Sequence, residues 1–154
     1  MKTTVLLLSC ILALFWLLMT TGEGLCQNVP LPDDIKIVAP KSDVPKEIAA
    51  FSGKWGNPEA RPNSILIVEQ INSQNAEIIY AWEAFPELNL EKGFIRGTAT
   101  VIAGKNPRIE FGEGETARFL FEMQKDLRTV RKTSLFSGTY LTVTLKRIKP
   151  GFKL

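Results

Sequence analysis

Histidine is absent from the 154 residues and cysteine occurs only twice. The first absence removes the usual general base, the usual partner of a nucleophilic serine or cysteine and the commonest metal ligand. The second leaves Cys10 inside an apolar leader and Cys26 just beyond it. Neither an intramolecular disulfide nor a thiolate zinc cluster can then be built. Other catalytic groups are sparse. Glu110, Glu113 and Glu115 surround a glycine-rich turn where solvent exposure is expected, and Ser52 and Ser137 precede glycine with no basic partner in view. The expectation is a protein that is not an enzyme and that uses no metal and no cofactor.

Acidic residues are also scarce after Thr116, where only Glu122 and Asp126 occur. The basic groups there form two clusters, Arg128, Arg131 and Lys132, then Lys146, Arg147, Lys149 and Lys153. Such clusters can attract phosphates or an anionic membrane surface, but the plainer expectation is a solvated strand face and a basic tail. No aromatic-interleaved motif or recognition helix accompanies the charge, so no nucleic-acid partner is expected. With 45% hydrophobic and 23% charged residues, the composition fits a globular domain and neither a disordered chain nor a polytopic membrane protein.

The chain opens with Lys2 and a predominantly apolar run from Val5 to Met19, followed by small residues at Gly22 and Gly24. Residues 1–24 read as a secretory signal peptide, with an uncleaved N-terminal anchor as the rival. An exported protein, periplasmic or extracellular, is expected, or one held to the membrane by that segment. Glu23-Gly24-Leu25-Cys26 lacks the residue a lipoprotein box needs before its cysteine. Residues 25–42, with Pro30, Pro32 and Pro40, read as an extended linker that holds the domain off a membrane or feeds into the fold. Ser42 or Asp43 can cap a short helical turn through Val44–Ala50.

From Phe51-Ser52-Gly53-Lys54-Trp55 onward the pattern is that of strands. Ile78, Tyr80 and Trp82 share one face against Glu77 and Glu83. Ile95, Gly97, Ala99 and Val101 lie opposite Arg96, Thr98 and Thr100. Ala117, Phe119, Phe121 and Met123 alternate with Arg118, Leu120 and Glu122, and Leu141, Val143, Leu145 and Arg147 with Tyr140, Thr142, Thr144 and Lys146. About eight strands with turn signals between them predict an all-β, antiparallel up-and-down barrel over residues 43–149, with a basic tail at 150–154. Phe136-Ser137-Gly138-Thr139-Tyr140 echoes the first motif and suggests that the first and last strands meet.

A helical turn, then Gly-x-Trp opening the first strand, then a meander ending in an inward basic residue resembles the calycin superfamily of lipocalins and fatty-acid-binding proteins. The layout is also similar to that of small exported bacterial domains of uncharacterised function. The resemblance implies that Gly53, Trp55 and Arg147 close one end of the barrel, with the guanidinium laid on the indole. It further implies an interior able to hold a small apolar ligand. Tyr80, Trp82, Phe119 and Phe121 are the candidate lining, with Arg96 near the mouth if the inward register is shifted by one. The alternative is an interaction module, a monomer that docks a protein, cell-wall or anionic membrane partner through its surface.

Overall fold

The computed structural model describes residues 29–57, 63–112, 117–136 and 138–149. The N-terminal 28 residues with Cys10 and Cys26, the tail from residue 150, and Glu113, Glu115 and Ser137 lie outside the described residues. One helical turn, α1 (Lys46–Ala49), precedes eight strands: β1 (Gly53–Gly56), β2 (Ser64–Ile71), β3 (Asn75–Trp82), β4 (Gly93–Ile102), β5 (Arg108–Phe111), β6 (Ala117–Met123), β7 (Thr129–Phe136) and β8 (Thr139–Arg147). Every strand pairs antiparallel with its sequence neighbour, and β8 returns to β1 to close the barrel. Among the described residues the β1–β8 seam is narrow, with Trp55 opposite Arg147 and Gly56 opposite Lys146. The two Phe-Ser-Gly motifs nevertheless stand apart, because the antiparallel seam puts Gly53 at one end of the barrel and the β7–β8 turn at the other.

Alternation along each strand sends one set of side chains into the lumen. Trp55, Leu66, Val68, Ile78, Tyr80, Ala99, Val101, Ile109, Phe119, Phe121, Met123, Val130 and Leu145 form the continuous core. The α1 turn lies under one end of it, with Ile48 and Phe51 buried against that core. Neither Ser42 nor Asp43 caps this turn. Its N-cap position falls on Pro45, whose carbonyl accepts from the amides of Ile48 and Ala49, and no side chain caps it.

β2 departs from alternation, being buried on both faces from Ser64 to Glu69. Its outward Ile65 and Ile67, with Ile79 and Ala81 of β3, form a second apolar cluster with Val29, and Leu31, Ile35 and Ile148 pack against it. The proline-bearing stretch read as a linker is thus extended and lies along the outside of the barrel as a strap. The register shifts between Val68 and Gln70, which leaves Glu69 as a bulge and restores Ile71 to the inner face. The Glu69 carbonyl accepts from the Val38 amide at 2.8 Å, and its carboxylate accepts from the Lys36 amide at 2.8 Å.

Candidate functional site

The end of the barrel that holds Trp55 is plugged. Trp55 is fully buried and its Nε1 donates to the Phe51 carbonyl at 2.7 Å. The Arg147 guanidinium lies over the indole, 4.3 Å from the ring centroid, within the range of a cation–π contact. It donates to the carbonyls of Ser52 and Ala50, which ties the end of β8 to the lead-in of β1. Partial burial pulls the Arg147 pKa down from its ordinary value. Gly53 makes the arrangement possible. Its φ is +117°, and a Cβ there would stand 2.8 Å from Arg147 Nη1.

Towards the opposite end, the inward-facing side chains of three strands change from buried to half-buried. On β8, Leu145 is buried whereas Val143 and Leu141 are half-buried. β4 shows the same gradient, with Val101 and Ala99 buried and Gly97 and Ile95 half-buried, as does β5 from Ile109 to Phe111. The walls that β4, β5 and β8 contribute are thus partly exposed at the end that carries Trp82, whereas Ser64, Tyr80, Phe119 and Ser134 of the other strands stay buried.

Four of the side chains expected to line a pocket come together there. The Tyr80 ring lies 4.6 Å from Phe119, 5.6 Å from Phe121 and 5.7 Å from Trp82 between centroids. Such tilted contacts suit the quadrupoles of the rings. Trp82 is half-buried at the rim, and its Nε1 donates to the Glu91 carbonyl at 2.8 Å in the loop before β4. The inward Gly97 does not leave a void, since a Cβ there would meet Phe111 Cε2 at 3.1 Å.

Arg96 is a correction. β4 keeps the register in which Ile95 and Gly97 face inward, so Arg96 stands on the outer wall with its guanidinium directed at the strap. Its Nε donates to Glu69 Oε2 at 3.0 Å, its Nη2 to Glu69 Oε1 at 3.0 Å and its Nη1 to Asp34 Oδ2 at 2.7 Å. This two-pronged grip on Glu69 is the strong form of an arginine–carboxylate pair. Burial raises the Glu69 pKa, but hydrogen bonds from Arg96 and the Lys36 amide outweigh it and the net shift is downward. The Arg96 hydrogen bond likewise lowers Asp34, and both acids push Arg96 upward.

Lys132 is the second correction. The sequence places it with Arg128 and Arg131 on an expected solvated basic face, yet it points into the barrel and is 2% exposed. Its Nζ crosses the lumen from β7 to donate to Tyr80 Oη on β3 at 2.8 Å and to Ser64 Oγ on β2 at 3.2 Å. It also lies 5.2 Å from the Tyr80 ring centroid. Two residues further along the same inner face, Ser134 is fully buried and its Oγ has no hydrogen-bond partner. Among the described residues no carboxylate pairs with Lys132. Register could have found this pair, since Phe121 stands opposite Lys132 and Phe119 opposite Ser134.

Among the described residues no group of three or more histidine, cysteine, aspartate or glutamate side chains could hold a metal ion, and no helix is long and apolar enough to cross a membrane. Comparison with known proteins returns no matching family model, no matching curated protein and no matching solved structure.

Proposed function

We propose that this chain is an exported binding protein that holds a small apolar molecule noncovalently in the half of the barrel remote from Trp55. The observation that carries the proposal is the half-buried inner surface of β4, β5 and β8 at that end, beside Trp82 and the buried aromatic group around Tyr80. An eight-stranded barrel is just wide enough to be filled by side chains or to admit one small ligand. Here one half is filled and sealed, while β4, β5 and β8 present half-buried surface in the other. The plug of Gly53, Trp55 and Arg147 supports kinship with the calycins. Export is proposed from the character of residues 1–24. The reading includes a monomer that needs no cofactor and performs no catalysis.

N-phenyl-1-naphthylamine, a neutral apolar fluorophore, tests it. Saturable enhancement of its emission is expected, and Trp82→Ala should weaken binding about 10-fold, equivalent to about 1.4 kcal/mol. Absence of saturable binding would remove the ligand proposal.

A second reading, docking of a partner through the surface, is favoured by Phe94 and Tyr140. They are exposed, outward-facing aromatics on β4 and β8 near the Trp82 end. Loss of both, as Phe94→Ser with Tyr140→Ser, should then release an envelope partner while leaving fluorophore binding unchanged.

A further inference from the structure

We propose that the end of the barrel sealed by Trp55 is a docking face for an anionic lipid bilayer, with lysine side chains on the lipid phosphates and Ile37 seated among the headgroups. The face is separate from the lumen and from Phe94 and Tyr140, so the proposal stands whether or not the barrel holds a ligand. Topology builds it. In an up-and-down barrel every second connection returns to the same end. Here the α1 lead-in, the β2–β3, β4–β5 and β6–β7 turns and the residues after β8 all lie at the end that holds Trp55. They carry Lys41, Lys46, Lys105, Lys125, Arg128 and Lys149, all exposed, against Asp43, Glu47 and Asp126. At the opposite end the β3–β4 connection has Glu83, Glu87 and Glu91 against Lys92 alone. Neither basic cluster of the sequence forms this face by itself, since Lys132 points into the barrel and Arg147 covers Trp55.

The cations at this end differ from those on the wall. Wall arginines are neutralised, Arg96 by Asp34 and Glu69, Arg108 and Arg118 by Glu110, and Arg131 by Glu122. Among the described residues Lys41, Lys46, Lys105, Lys125 and Lys149 form no salt bridge, and Asp126 directs its oxygens at the Arg128 and Thr129 amides and the Thr129 hydroxyl. Apolar groups stand beside these lysines. Ile37 and Val38 are 42% and 37% exposed, between Lys36 and Lys41, where the chain passes from the Glu69 bulge to α1. Lysines around exposed aliphatic side chains are the make-up of surfaces that settle at the headgroup boundary. A nucleic acid suits the face less well. Among the described residues no aromatic side chain is exposed there to stack on bases, and five of the six cations are lysines, without the planar fork of arginine.

Co-sedimentation of the full chain with vesicles of phosphatidylcholine alone, and of phosphatidylcholine mixed equally with phosphatidylglycerol, tests this. Residues 1–24 carry only Lys2 and Glu23 as charges, so partitioning through that segment is common to both vesicles and cancels in the ratio of affinities. A preference of about 10-fold or more for the anionic vesicles is expected. It should vanish in molar salt, where charges are screened within about 3 Å. Lys105→Gln with Lys125→Gln, at two exposed turn positions, should cut the preference by about five-fold per lysine. Lys92→Gln, at the other end, should leave it unchanged, as should Phe94→Ser with Tyr140→Ser. Ile37→Ser should weaken attachment to the anionic vesicles several-fold. Equal binding to the two vesicles, or a preference lost as readily with Lys92→Gln as with the turn lysines, would overturn the proposal. So would displacement of the protein from vesicles by oligothymidylate together with no effect of Ile37→Ser, which would assign the face to a nucleic acid.

Discussion

At Gly53 one added carbon would meet the Arg147 guanidinium at 2.8 Å, in a backbone at φ +117° that other residues rarely adopt. Gly53→Ala is therefore expected to destabilise the fold by about 1–3 kcal/mol through combined strain and displacement of the guanidinium. Urea denaturation followed by tryptophan emission would show this as a lower midpoint with an unchanged slope. The relation between Gly53, Trp55 and Arg147 is legible in the sequence because each residue type has a narrow role: a glycine for close approach, a large ring for a plug and a planar cation to cover it. Lys132 is not legible in the same way. Lysine on a strand is nearly always solvated, and its neighbours Arg131 and Thr133 do face outward, so only the pairing of β7 with β6 reveals that it shares a side with Phe119 and Phe121.

The bulge at Glu69 gives one element two tasks. It turns the inner face of β2 back into register at Ile71, and it projects a carboxylate and a carbonyl to which the strap is fastened. Both Glu69 and Asp34 have lowered pKa values in the fold, so the stability they contribute is fully present above the ordinary carboxylate range, about 4. It is lost as the pH falls through their lowered values. Hydrogen-exchange protection of the Lys36 and Val38 amides should accordingly be high at pH 7 and fall towards pH 3 before the barrel amides lose theirs. Arg96→Ala should remove most of that pH dependence, because the guanidinium is what depresses the two acids. The bulge and the docking of the strap are hidden from periodicity. A stretch such as Ser64–Ile71, apolar on both faces, says that something covers its outside but not what does. The strands and most of their inward faces are readable from alternation, except in β2, which is apolar on both sides, and in β7, whose inner face carries Lys132 and Ser134 in place of apolar residues.

For the molecule as a whole, the contacts that finish the barrel join residues far apart in the chain. Arg147 reaches Ser52 across 95 residues, and Lys132 reaches Ser64 across 68. All-β barrels, built from pairing between strands, refold on the millisecond-to-second scale. Stopped-flow dilution from denaturant, followed by tryptophan emission, should show that regime, and microsecond refolding would contradict it. The Arg147→Ala chain is expected to unfold faster, since the seam it reinforces has only two registered pairs, aided by the Ile148 amide on the Lys54 carbonyl at 2.9 Å and the Asn57 side chain on the Thr144 carbonyl at 2.9 Å.

That seam is the place where the cylinder would unzip. Parting β8 from β1 would convert a continuous wall into a sheet with two bare margins, each with open backbone groups that can recruit a strand from another molecule. The guanidinium resting on Trp55 thus guards against self-association, although it takes no part in holding anything in the lumen.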